Sequence, residues 1–129
     1  MTLSRRQTTT PGRRPRVIVI DDDRAWRALV EEWLGAIGCE VLQASAPVAA
    51  DDVDLVLVDV PKAREGEPTM IRQLSETYPQ ARLLALSSCF FPGVKSCGPV
   101  AQALGVDAVL AKPASCEAVT SAVRDLLAR

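Results

Sequence analysis

Histidine is absent from the 129 residues, and that absence excludes a great deal. Without an imidazole, neither a Ser-His-Asp nor a Cys-His nucleophile can be built. Structural zinc loses its usual nitrogen ligand as well. The four cysteines, Cys39, Cys89, Cys97 and Cys116, include no CxxC pair, so a zinc site is not expected. They read as reduced thiols, some of them core filler, with a Cys89–Cys97 redox pair as the lesser alternative. No apolar run approaches the roughly 20 residues of a membrane helix. No apolar stretch follows the N-terminal arginines as it would in a secretory signal. These features predict a cytoplasmic chain that does not associate with membranes. Two phosphate-binding signatures are missing too. No GxGxxG follows the first apolar run, and no GxxxxGK[ST] occurs anywhere, which excludes a dinucleotide fingerprint and a P-loop hydrolase.

What is present is distributed unevenly. The net charge of −1 conceals a basic start: Arg5, Arg6, Arg13, Arg14 and Arg16 precede Val17 without a single acid. The remainder is therefore acidic. Residues 1–15, rich in Thr, Pro and Gly, read as a disordered, solvated basic tail. Contact with nucleic acid or an acidic partner is the alternative, but a few arginines without aromatics do not make a nucleic-acid site. No direct DNA binding is expected. The length suits one domain, 16–129.

From Val17 onward two periodicities alternate. Val17–Ile20 is an unbroken β-branched run of the kind buried on both faces of a sheet. Arg24–Ile37 carries apolar residues at helical spacing (Ala25, Leu29, Trp33 and Val30, Leu34, Ile37) and is followed by Gly38, which suits the position past a helix end. Glu40–Gln43 predicts a short strand, Ala46–Asp51 one or two helical turns, and Val53–Val58 a third strand. Thr69–Tyr78 predicts a helix stopped by Pro79, and Arg82–Leu86 a fourth strand. Pro99–Leu104 predicts a helix ended by Gly105, and Ala108–Leu110 a fifth strand. Ser115 caps a last helix, with Glu117 near the positive end of its dipole. Five strands alternating with helical segments predict an α/β protein with a parallel sheet covered on both faces. Trp26 and Trp33, seven apart on one helix, read as packing.

Ligands of such sheets bind beyond the carboxyl ends of the strands. The first strand runs into Asp21-Asp22-Asp23, the third into Asp59, the fourth into Ser87-Ser88 and the fifth into Lys112-Pro113. Three like charges closing a buried strand repel one another and need a counter-charge. Asp21, Asp22 and Asp59 would together suit a hard divalent cation such as magnesium, which prefers oxygen ligands. Asp23 is expected to cap the first helix instead. The ordinary alternatives are an exposed lysine at Lys112 and an incidental loop hydroxyl at Ser87.

IVIDDD, LVLVDV, LLALSS and AVLAKPA, in this order and at these strand ends, resemble the receiver domain of bacterial two-component response regulators. The resemblance covers Arg16 to about Arg129. It implies a flavodoxin-like, doubly wound, five-stranded parallel sheet of order 2-1-3-4-5. Position by position, it implies that Asp21 and Asp22 hold Mg2+ and that Asp59 both ligates it and accepts the phosphoryl group. The backbone carbonyl of Pro61 is the remaining protein ligand. Ser87 meets the phosphoryl group in the active state, and Ser88 is the small residue after it. Lys112 pairs with the phosphoacceptor, and Pro113 matches a proline often preceded by a cis bond. The implied partners are a sensor histidine kinase or phosphotransfer protein and an unknown downstream protein target.

Some positions depart from the family. Val109 stands three before Lys112, where many receivers have an aromatic whose rotation relays the signal. Phe90 and Phe91 read as hydrophobic loop anchors. The loops VPKAREGEPT and CFFPGVKSCGP are unusual and predict an unusual interaction surface. Three functions follow: a standalone phosphoacceptor that signals by protein–protein interaction, a pseudo-receiver that only binds partners, and a magnesium-dependent phosphatase. The last would need an acid two residues after Asp59, and Pro61 cannot serve.

Overall fold

The computed structural model describes residues 14–42, 52–60, 67–90 and 97–128, with side chains from Met70 onward in the third segment. Residues 1–13 of the basic tail, the helical turn expected at 46–51, Pro61 and Phe91 lie outside the described residues. So do the middle portions of both unusual loops, 61–66 and 91–96.

The elements run β1 (Arg16–Ile20), α1 (Arg24–Ala36), β2 (Glu40–Leu42), β3 (Leu55–Asp59), α2 (Glu67–Thr77), β4 (Arg82–Ser87), α3 (Pro99–Leu104), β5 (Ala108–Ala111) and α4 (Cys116–Leu127). All strand pairings are parallel, in the order β2-β1-β3-β4-β5, as the resemblance implies.

Alternation along the strands explains how both faces are covered. Val17, Val19, Leu55, Leu57, Leu84 and Leu86 face one way, into a cluster with Val30 and Leu34 of α1 and Val119, Val123 and Leu126 of α4. Ile18, Val56, Val58, Leu83, Ala85 and Val109 face the other way, with Ile71 of α2 and Ala101 and Leu104 of α3. Central β3 is buried from Leu55 to Val58, which is why its sequence has no polar alternation. Full burial of each such side chain stabilises the fold by about 1.5–3 kcal/mol before the entropy of ordering is counted.

The helix ends follow local chemistry. Asp23 accepts a hydrogen bond from the Trp26 amide at 3.0 Å and Ser115 one from Ala118 at 3.0 Å, each satisfying an orphan donor of the first turn. Gly38 and Gly105 close α1 and α3 with φ of 94° and 82°, values that disfavour any residue with a Cβ.

Several boundaries differ from the sequence expectation. β3 begins at Leu55, because Val53 and Asp54 precede the ladder, and it reaches Asp59, which pairs with Leu86. β4 and β5 each extend one residue further, to Ser87 and Ala111, which pair with each other. α2 starts two residues early, with Pro68 in its first turn, where a missing N–H costs nothing.

Candidate functional site

The parallel order carries the ends of β1, β3, β4 and β5 to one edge. Asp59 is the last residue of β3, Asp21 follows β1, Ser87 ends β4 and Lys112 follows β5. The Lys112 ammonium lies 3.0 Å from Asp21 Oδ2 and 3.0 Å from Asp59 Oδ1. Residues 91 and 53 positions apart thus form one ion triad, its side chains 16%, 5% and 21% exposed for Lys112, Asp21 and Asp59. Burial pulls the Lys112 pKa down, but hydrogen bonds and charge from the two aspartates outweigh it. The ammonium is held above its ordinary value.

Each member is fixed by its backbone. Asp21 Oδ1 accepts from the Asp23 amide at 2.9 Å, and the Asp21 carbonyl accepts from Arg27 Nη1 at 2.9 Å. Arg27 itself leans on Glu31, one helical turn away, at 3.9 Å. The Val60 amide donates to the Leu86 carbonyl at 2.8 Å, which fixes the chain just past Asp59. The Ser87 carbonyl accepts from both the Lys112 amide at 3.0 Å and the Phe90 amide at 3.3 Å. The Lys112–Pro113 peptide is cis, matching the bond that the resemblance associates with this proline.

The remaining candidate residues are placed as follows. Ser87 is fully buried at the end of β4, its Oγ accepting from the Cys89 amide at 3.0 Å. Ser88 and Asp22 are exposed. The triad therefore gathers Asp21, Asp59 and Lys112, with Ser87 on the neighbouring strand end and Asp22 at the surface beside it. Val109 is buried within the sheet and Phe90 anchors its loop in the α2/α3 core, 6% exposed. Sequence reasoning missed Arg27, whose position one turn after the Asp23 cap was the available signal. It also assigned Trp26 to packing alone, whereas the indole lies 5.3 Å from the Lys112 ammonium.

Among the described residues no three His, Cys, Asp or Glu side chains form a group that could hold a metal ion. Asp21 and Asp59 lie on one ammonium, and exposed Asp22 stands next to Asp21 in the chain, so these three carboxylates remain the side chains that could offer oxygen to a divalent ion. Magnesium commonly uses one or two carboxylates and completes its shell with water and phosphoryl oxygen. The donor set fits, since it is all oxygen, and the carboxylates of Asp21, Asp22 and Asp59 outnumber the single nearby ammonium.

No helix among the described residues is long and apolar enough to cross a membrane. Neither family models nor curated proteins gave a match. Solved structures did. A response regulator from Thermotoga maritima aligns with a TM-score of 0.70 at 23% identity, over 90% of this chain and 99% of that one. The BeF3-activated DrrB receiver domain aligns with 0.66 at 21%, over 90% and 99%. A response regulator from Burkholderia pseudomallei with a phosphorylated aspartic acid, a calcium ion and citrate aligns with 0.62 at 24%, over 88% and 69%. With the same strand order and flanking helices, the chain has the flavodoxin-like fold of response-regulator receiver domains.

Proposed function

We propose that the chain is a phosphoacceptor receiver: Asp59 takes a phosphoryl group from the phosphohistidine of a sensor histidine kinase or phosphotransfer protein. The modified domain then signals in the cytoplasm by binding a downstream protein. The observation that carries this reading is the Lys112 ammonium seated 3.0 Å from the Asp59 carboxylate at the carboxyl edge of a receiver-fold sheet. An Asp59 oxygen forms the new O–P bond while the N–P bond of the donor imidazole breaks, and the released imidazole keeps the nitrogen electron pair. Such transfer asks the protein mainly for alignment and for stabilisation of charge on the phosphoryl oxygens.

Lys112 supplies fixed positive charge at the attacking carboxylate. Asp21 holds that lysine as well, at 3.0 Å, and would hold Mg2+ together with Asp59. Asp22 and the Pro61 carbonyl are the further ligands that the family resemblance assigns. Bound magnesium would neutralise charge on the transferred group. In this reading the buried hydroxyl of Ser87, at the end of the strand next to β3, would meet the acceptor oxygens of an acyl phosphate on Asp59, with Ser88 the small residue after it. Among structures of this fold, one carries a phosphorylated aspartic acid with calcium and another is BeF3-activated, which supports both the chemistry and a divalent ion.

A second reading, an interaction module that is never phosphorylated, draws support from the lysine that already pairs with both carboxylates and offsets one of their two charges. One measurement decides. Wild-type protein incubated with Mg2+ and acetyl phosphate gains the mass of one phosphoryl group, and Asp59→Asn gains none. Failure of the wild type with every donor, a cognate-type phosphotransfer protein included, would reject the phosphoacceptor reading.

A further inference from the structure

Trp26 departs from a purely packing role. It sits in the first turn of α1, three residues after the Asp23 cap, and so on the same edge as the carboxyl ends of the strands. Its ring meets Trp33 edge-on, with centroids 5.7 Å apart at 90°, and packs against the α1/α4 core cluster. This second tryptophan gives the first a fixed seat, since edge-to-face aromatic pairs hold a defined geometry. Over the Trp26 ring, 5.3 Å from its centroid, lies the Lys112 ammonium. That distance is inside the range in which the negative face of an indole attracts a cation, and indole is the strongest of the aromatic side chains in this respect.

An ammonium has three donors. In this structure one is directed to Asp21 and one to Asp59. A lysine stem is long and flexible, and bonds to two carboxylates still leave one of the three donors able to turn toward water. The indole closes another side. The space that Trp26 shares with Asp21, Asp59 and core residues such as Val30 and Leu57 is a cavity of only about 10 Å³, with room for a single water at most.

We infer that Trp26 is the positioning residue of the site: its indole face holds the Lys112 ammonium at the phosphoacceptor and keeps bulk water from competing for it. The inference rests on the phosphoacceptor reading of Asp59. When an Asp21 oxygen is needed elsewhere, as by a divalent ion, the indole contact still anchors the lysine head beside Asp59. Removing the ring costs positioning of the charge and leaves the carboxylate chemistry intact.

The test has an arm that needs no phosphate. In a Trp33→Phe background Trp26 is the sole tryptophan, and Lys112→Met changes its emission intensity and near-ultraviolet circular dichroism. Arg72→Met, an exposed charge on α2, changes neither. The second arm follows phosphoryl gain from acetyl phosphate. Trp26→Leu slows the maximal rate about three- to tenfold, the span expected for a partly desolvated cation–π contact. The Mg2+ concentration at half-maximal rate stays unchanged, and Trp26→Phe recovers most of the loss. Tryptophan signals indifferent to Lys112→Met would overturn the inference, as would a Trp26→Leu rate equal to wild type. A wild type that takes up no phosphate while its Trp26 signal still responds to Lys112→Met rejects the phosphoacceptor reading and leaves the lysine–indole contact supported.

Discussion

Asp54 and Asp107 stand where β3 and β5 begin; Asp21 and Asp59 stand where β1 and β3 have finished. At the beginnings, each carboxylate takes a backbone donor of the neighbouring strand: Asp54 Oδ2 from the Arg16 amide and Asp107 Oδ2 from the Leu83 amide, both at 2.8 Å. Arginines complete the picture, with Arg82 3.9 Å from Asp107 and Arg16 3.3–3.4 Å from Asp52 and Glu40. Every acid there tidies an edge of the sheet. At the far end the acids converge on one another, and a single lysine stands between two of them. Among the described residues the two ends differ in this: at one the carboxylates meet amides and arginines and read as structural, at the other Asp21 and Asp59 share one ammonium, although Asp21 accepts the Asp23 amide as well. Proximity to a strand end does not separate the two; the identity of the partner does.

If that contrast is sound, variants at the two ends should fail differently. Lys112→Met leaves two carboxylates facing each other without their cation. Phosphoryl gain from acetyl phosphate should slow roughly a hundredfold, the scale of losing one electrostatic stabiliser, while circular dichroism shows a folded chain. Asp107→Ala should do the reverse. Denaturant titration should show a loss of about 1–3 kcal/mol, because the part-buried Leu83 amide loses its acceptor, and the phosphorylation rate per folded molecule should match wild type.

Asp23→Ala sharpens the comparison, because Asp23 lies in the acidic triplet yet acts as a cap. It should cost about 1 kcal/mol in the same titration without abolishing phosphoryl gain. Total loss would move Asp23 into the chemical set. The smallest effect concerns Cys39, buried at the start of β2. Burial, then the Asp54 charge, push its thiol above the usual 9.0, against a smaller opposing pull from Arg124. The neutral thiol is thus favoured in the folded state. Its contribution to stability is present below pH 9.0 and is lost as pH rises through the raised value. Timed alkylation at pH 8 with peptide mass mapping should label exposed Cys116 well before Cys39.

The sheet was legible because both sides of it are covered, so its central strands are written as continuous β-branched and leucine runs that no surface strand would carry. The site was legible where its residues sit at strand ends: Asp59 and Lys112 could be placed on one edge from topology alone. Asp54 and Asp107 were invisible as structural carboxylates because their partners are backbone amides 38 and 24 positions away, and amides carry no sequence signature. Trp26 was misjudged for a related reason. Helical spacing paired it with Trp33 correctly, but its second neighbour comes from the end of β5, and nothing local to α1 announces that approach. Asp22 is exposed beside buried Asp21 because the chain leaves the sheet edge there: Asp21 is turned in toward Lys112, and Asp22 to Ala25 are all exposed.

A single peptide oxygen, that of Ser87, receives the amides of both Phe90 and Lys112. Two stretches of chain, one ending at buried Phe90 and one following β5, therefore hang from one peg. If Asp59 accepts a phosphoryl group as proposed, a pull that shifted the peg would tug both tethers together, a backbone route that asks for no swinging ring at Val109.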